Sequence, residues 1–321
     1  MYAKHKPKHM FPNKTASELS TSVRTMLIPR GIAAREAAIG ATLKQEKIHP
    51  NVDLSTVSNS SKGLLEFTLP AGDDERFFQI VMDEEHSAAA VVFGRVGLGN
   101  HGAAEIHIGN TTVFCGETAF VLRRLSFMYE KARDDHFCEV WDNILKANTP
   151  HGCQGASRAL HADLFKGKEW DEDSKDQMFS TLLLKYTSDA KAYEYFKELD
   201  DLLSTKHIGN VCFVEVGDNK IWASGVSGEK TVEALLKLKE INPGTVAEVV
   251  SKLGGQNKLG QAYDLLYDAF MAAKSRTFES FTTFVQTELP ALYAKPCVEK
   301  EGDKEEVLVE EPPTKRSRSM A

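Results

Sequence analysis

Up to Phe114 the apolar residues of this chain come in short runs; from Glu117 onward they recur at helical spacing. Leu64–Leu69 and Phe77–Met82 are two such runs, separated by the turn formers Pro70-Ala71-Gly72-Asp73, and they predict strands. Ala88–Phe93 predicts a third strand, and Ile106–Gly109 with Thr112–Phe114 predicts a hairpin about Gly109-Asn110. Past Glu117, the residues Val121, Leu125, Met128 and Ala132 fall on one stripe of a helix, and a short helix follows over Phe137–Ala147. Thr149–Gly155, which contains Pro150, Gly152 and Gly155, reads as a loop. Ser174–Thr187 puts Met178, Phe179, Leu182, Leu183 and Tyr186 on one face. Ala190–Leu203 repeats the pattern through Tyr193, Phe196, Leu199 and Leu203.

Val211–Glu215 interrupts the helices. Its β-branched, aromatic and small apolar residues, ending in an acid, predict a buried strand. Gly217-Asp218-Asn219 supplies turn chemistry, Lys220–Ala223 predicts a short return strand, and Ser224-Gly225 closes it. The expected hairpin carries Glu215, Asp218 and Trp222 on its rim. Two carboxylates beside an indole suit a site that grips a ring and handles protons or a developing positive charge. An acid in a turn is also an ordinary turn former, and the hairpin by itself does not decide between the two.

Helices are predicted again at Lys230–Ile241 and Thr245–Leu253, split by Pro243-Gly244 and ended by Gly254-Gly255. Lys258–Ser275 follows as a core helix, and Phe278–Tyr293 as a last one interrupted at Pro290. Residues 1–60 are polar; Met1–Asn13 is basic and expected to be disordered, and Ala16–Gln45 has room for one or two short helices. Past Val298 an acidic run leads to Lys315-Arg316-Ser317-Arg318, a composition that cannot form a core. The fold class expected is α+β, a mainly helical body packed on a small sheet, with disordered termini.

Composition narrows the function classes. With 42% hydrophobic and 26% charged residues over 321 positions, the chain can bury one substantial core. No apolar run is long enough for a membrane span, and the first residues lack the apolar stretch of a signal peptide. Five scattered cysteines without a Cys-x-x-Cys pair suggest free thiols and an intracellular setting, cytoplasmic or nuclear. A net charge of −7 disfavours a protein that coats nucleic acid, although a local basic patch still permits transient contact with one.

Isolated motifs add little. Gly94-Arg95-Val96-Gly97-Leu98-Gly99 lacks the spacing of a dinucleotide fingerprint and precedes an extended stretch, so a structural turn is the better reading. His136-Phe137-Cys138 and His151-Gly152-Cys153 do not have the spacing of zinc ligands, and no metal is expected. There is no P-loop, no HExxH and no nucleophile elbow. Glu117 after Gly116 is favoured by the helix dipole whatever else it does.

Taken in order, the pieces resemble a family. Leu98-Gly99-Asn100-His101 is similar to the Leu-Ser-Asn-Phe opening of the NADAR (YbiA-like) superfamily, which places a helix-opening Glu where Glu117 stands. Ser157-Arg158 approximates a Gly-Arg step. Glu169-Trp170 through Lys175 and Met178 resembles an Asp-Trp-x-x-x-x-Lys-x-x-Met helix start, with Lys185-Tyr186 for Lys-Phe. Glu215, Asp218, Trp222 and Gly225 match the Glu…Asp-x-x-x-Trp-Gly-x-Gly segment, and Gly255-Gln256-Asn257-Lys258-Leu259-Gly260 matches the closing Gly-x-Asn-x-Leu-Gly. Trp-Gly is here Trp222-Ala223, and a Lys of the first helix is here Arg124. The resemblance divides the chain into a polar extension (1–60), a strand-rich lead-in (61–87) and a NADAR-like domain (88–275) with an insertion at about 230–253. A C-terminal helix (276–297) and a tail (298–321) complete it.

The resemblance implies hydrolysis of an N-glycosidic bond, either releasing ADP-ribose from a guanine base or cleaving a ribosylamine intermediate of the riboflavin pathway. The alternative it implies is a non-catalytic ADP-ribose- or NAD-derivative-binding module. Loss of an N-linked base leaves an oxocarbenium-like ribosyl cation, which calls for a carboxylate against the sugar and an acid/base for water and the leaving nitrogen. Glu117 and Asp218 are expected to share these roles. Trp170 and Trp222 would wall the base or ribose, Asn100 and Asn257 would bond ribose or phosphate oxygens, Arg124 or Arg158 would pair with phosphate, and Gly225 is expected among the substrate-binding residues with them. The chemistry needs no cofactor.

Overall fold

The computed structural model describes residues 51–289 apart from 61–62, 68–75, 84–85, 96, 109–110, 133–135, 148, 159–167, 238–242 and 274. The expected N-terminal helices, both termini and the turn at 70–73 lie outside these residues. The described chain is an α+β fold. Five strands form one sheet in the order β1 (Ser58–Ser60), β2 (Leu64–Glu66), β3 (Phe78–Asp83), β4 (Ala88–Phe93) and β7 (Asn210–Glu215). The first three pairings are antiparallel and the last, Ala88↔Asn210 to Phe93↔Glu215, is parallel. β5 (Ala103–Ile108) and β6 (Thr111–Cys115) form the separate hairpin expected from Gly109-Asn110.

Between β6 and β7 run α1 (Gly116–Ala132), α2 (His136–Lys146), α3 (Pro150–Ser157), α4 (Lys168–Ser188) and α5 (Ala190–Thr205). After β7 come α6 (Gly228–Leu236), α7 (Pro243–Leu253), α8 (Lys258–Ala272) and α9 (Phe278–Thr287). Among the described residues no helix is long and apolar enough to cross a membrane.

β4 shows why the sheet is buried. All six of its residues are enclosed, because helices cover both faces. On one face Ala89, Val91, Phe93 and Phe213 join the large core built with α1, α2, α4, α5, α8 and α9. On the other, Ala90, Val92, Cys212 and Val214 meet Val232 and Leu235 of α6 and Val246, Val249 and Val250 of α7. The segment read as an insertion therefore closes the second face. Likewise β2 and β3 share the sheet with β4, so these two strands and the elements after them have one core. α9 joins it through Phe281, Phe284 and Val285, and the carboxylate of Asp200 on α5 holds Arg276 and accepts from the Tyr267 hydroxyl at 2.8 Å.

Two predicted elements differ. Thr149–Gly155 is not a loop. Pro150 sits at the first helical position, where its missing N–H costs nothing, and the Thr149 hydroxyl accepts the Gly152 N–H at 3.0 Å, so α3 forms. Lys220–Ala223 is not a return strand. Its carbonyls are taken by the start of the next core helix: Gln256 N–H donates to Lys220 (2.8 Å), Asn257 to Ala223 (3.2 Å), Lys258 to Ile221 (3.2 Å) and Leu259 to Trp222 (3.1 Å).

The outer edge of β7 is covered by α8. Asn257, at the N-cap in a left-handed conformation (φ 51°), donates its amide to the Phe213 carbonyl (2.9 Å) and accepts the Glu215 N–H (2.9 Å). Asp264, two turns along, accepts the Phe213 N–H at 2.8 Å. Side chains thus stand where a neighbouring strand would. The helix comes close enough because position 260 is glycine: a Cβ there would lie 2.1 Å from the Phe213 carbonyl oxygen. Two stability losses are expected. Gly260→Ala is expected to cost about 1–3 kcal/mol through the forced separation of α8 and β7. Asn257→Ala is expected to cost about 1–3 kcal/mol for each backbone group of β7 it leaves unpaired. Urea unfolding of the two variants measures both, and a loss under about 0.5 kcal/mol contradicts this account of the edge.

Candidate functional site

One cavity of about 250 Å³ gathers most of the predicted site residues at the β7 end of the sheet. Its first wall is the glycine loop after β4. The loop is wound on itself, so that a Cβ on Gly99 would meet Arg95 at 2.3 Å and one on Gly102 would meet the Gly97 oxygen at 2.1 Å. It is a structural turn, as its spacing suggests, but the winding also turns Arg95, Asn100 and His101 to the cavity.

The second wall is the start of α1. Glu117 donates its backbone N–H to the Asn100 carbonyl at 2.8 Å, which locks the loop to the helix. Its half-buried carboxylate accepts Gln154 Nε2 at 2.8 Å and has Asn100 Nδ2 at 3.5 Å. Withdrawal from water raises the pKa of Glu117, opposed in turn by the Gln154 and Asn100 hydrogen bonds and by the charge of Arg95. Phe120 and Arg124 continue the same helix face into the cavity. From α3 come Gln154, Ser157 and Arg158, Ser157 donating to the Gln154 carbonyl at 2.8 Å.

The third wall is the end of β7 and the loop behind it. Glu215 is 6% exposed and lines the cavity. Burial pushes its carboxyl up to about 8; Arg95 pulls it down, and Glu117 pushes it up again. Asn219 accepts the N–H groups of Ile221 (3.0 Å) and Trp222 (3.1 Å), which folds the loop so that Trp222 faces inward. The indole packs edge-on against Phe120, with ring centroids 5.1 Å apart. Ala223, where the family pattern has glycine, is buried in the same wall.

Of the predicted site residues, Glu117, Asn100, Trp222, Arg124 and Arg158 line this cavity. Three others are elsewhere. Asp218 does not reach it: its side chain is 95% exposed and meets Arg95 from outside at 3.5 Å. At this turn Asp218 points to solvent, and the inward acid of the segment is Glu215, which the strand pleat carries under the loop. Asn257 is spent on β7 backbone, so the ribose or phosphate contact expected of it is not available. Gly225 (φ +79°) lets the loop pass the Gly254-Gly255 turn, with a would-be Cβ 3.3 Å from Gly255 N, and does not line the cavity. The backbone of Trp170 belongs to α4, while its side chain lies outside the described residues.

Sequence reasoning passed over Arg95, His101, Gln154 and Phe120. Thr149-Pro150, a cap followed by proline, was the available signal for α3 and hence for Gln154. As for metal, Cys153 is buried against the Thr118 hydroxyl at 3.1 Å, and no group of three His, Cys, Asp or Glu among the described residues could hold an ion. No family model and no curated protein matches the chain.

The raised pKa of Glu215 links stability to pH. The folded state keeps this proton up to about 8, while the unfolded state releases it near the ordinary 4.5. Between these values the folded state binds more protons, so the contribution of Glu215 is full below about 4.5 and is lost as pH rises through about 8. Glu215→Gln, which carries no charge, is expected to melt above wild type at pH 9 by ~3 °C for each kcal/mol relieved, with the gap closing by pH 5. Thermal melts at the two pH values check this, and a gap that does not change with pH contradicts it.

Proposed function

We propose that this protein hydrolyses an N-glycosidic bond of a ribosylated substrate, with Glu117 and Glu215 as the two working carboxylates. The observation that carries the reading is that both acids, withdrawn from water, share one cavity with an indole and three arginines. Acids whose pKa is raised in a cleft are a mark of acid–base chemistry. Glu215, protonated at neutral pH, gives its proton to the leaving nitrogen as the bond from the anomeric carbon breaks. Glu117, held by two amide donors that favour its charged form, faces the ribosyl cation and orients the water that adds to that carbon. Water thus supplies the new C–O bond and returns the proton. Arg95, Arg124 and Arg158 take the phosphate, and Trp222 with Phe120 flanks the ring. A cavity of about 250 Å³ is small for a ligand site and suits a ribose and one phosphate, with the base at the mouth.

Two substrates fit this chemistry, an ADP-ribosylated guanine base in nucleic acid and a phosphorylated ribosylamine of the riboflavin pathway. Incubation with each, followed by detection of free ADP-ribose or ribose phosphate, tests the reading. Glu117→Gln and Glu215→Gln are expected to lower turnover at least ~100-fold, and Asp218→Asn to stay within about threefold of wild type. Turnover falls as pH rises through about 8, where Glu215 loses the proton it donates. Tight ADP-ribose binding without turnover would turn the reading to a binding module; neither binding nor turnover would sink it.

A further inference from the structure

The proposed hydrolysis leaves a titratable residue of the cavity wall, His101, without a task. His101 follows Asn100 in the glycine loop, where its backbone N–H donates to the Arg95 carbonyl at 2.8 Å. It is 8% exposed and lines the cavity. The imidazole packs edge-on against His151 at 4.9 Å between centroids, and neither of its nitrogens hydrogen-bonds a described residue. A buried histidine usually serves the fold by bonding its neighbours. This one makes no such bond among the described residues and stands in the cavity wall.

The charges around it decide what it can take. Burial, then His151 on α3, then the Arg95 guanidinium push the ring down to about 3, so it is neutral at ordinary pH. Glu117 and Glu215 are the acids of the same cavity, and Arg124 and Arg158 its other cations. Anionic groups of a ligand have the arginines, and ring faces have Trp222. A neutral imidazole carries one N–H and one bare nitrogen and can exchange which is which. It complements an uncharged group that both gives and takes a hydrogen bond, and a sugar hydroxyl is such a group.

We propose that His101 binds a hydroxyl of the sugar held in this cavity, and so gives the site its preference for a ribosyl phosphate over phosphate alone. The inference rests on the reading of the cavity as a ribosyl site. It is tested with ribose 5-phosphate, which both candidate substrates contain, against inorganic phosphate. Each is titrated at millimolar concentration into the full chain as wild type, His101→Phe and His101→Gln, with binding followed by NMR and folding by circular dichroism.

Wild type is expected to bind ribose 5-phosphate more tightly than phosphate. His101→Phe, which keeps the ring volume, is expected to weaken ribose 5-phosphate about tenfold and leave phosphate unchanged. His101→Gln restores a donor and an acceptor and is expected to recover most of the loss. Equal affinity of wild type and His101→Phe for ribose 5-phosphate overturns the role of His101 and leaves the hydrolase reading standing. An equal loss for both ligands, or no recovery in a folded His101→Gln, also overturns it, because the effect is then structural. Wild type that does not bind ribose 5-phosphate overturns both readings.

Discussion

The bare edge of β7 is the constraint on which the rest of this structure depends. Among the described residues β7 pairs with β4 alone, so every second residue presents its N–H and carbonyl outward with no described strand to receive them. Buried and unpaired, each such group costs about as much as the net gain from one or more hydrogen bonds. α8 meets the demand with Asn257 and Asp264, and Gly260 allows the approach. Once α8 lies there, its first N–H groups need acceptors, and the loop Lys220–Ala223 supplies them. That loop then sits over the end of β7, where it turns Trp222 inward and shuts Glu215 away from solvent. A problem of backbone hydrogen bonding thereby sets the position of an acid and an indole.

The cavity has an opposite energetic character. Where α8 meets the outward groups of Phe213 and the Glu215 N–H, the cavity holds two carboxylates raised by burial, with Arg95 in electrostatic reach of both. Stored destabilisation of this kind is what a fold keeps at a working site. Arg95 also carries Asp218 on its outer side, an exposed pair worth little by itself that nonetheless spans the loop after β4 and the loop after β7. The hydrogen bond from Gln154 to Glu117 fixes α3 to α1 in the same way. Each wall of the cavity is thus tied to the next by a polar contact, while the aromatic core beneath, with Phe213 and Tyr263 at 5.5 Å, keeps the supporting elements rigid.

Much of the fold was legible because local rules sufficed. Ala88–Phe93 reads as a strand and is one, residue for residue, since a run of small and β-branched apolar residues buried on both faces has few other uses. The helices after Glu117, α3 apart, are fixed by apolar stripes, with ends that differ by a few residues. The site was half legible. Glu117, Asn100 and Trp222, expected from the resemblance to a family pattern, do line one cavity, whereas Asp218 and Asn257, expected on the same ground, serve elsewhere. A carboxylate in a turn and one at a strand end look alike in a sequence; which of them is enclosed depends on what packs over them.

What the sequence determined by itself, then, was the kind and order of the elements other than α3 and Lys220–Ala223, because periodicity and turn chemistry act over a few residues. Tertiary structure alone decided three things. It made Lys220–Ala223 a cap for α8 in place of a strand, it put Glu215 inside and Asp218 outside, and it assigned Asn257 to β7 and left His101 in the cavity wall. The reason is the same in each case. Burial and hydrogen-bond partnership are properties of neighbours brought together from distant parts of the chain, and no local pattern records which neighbours those will be.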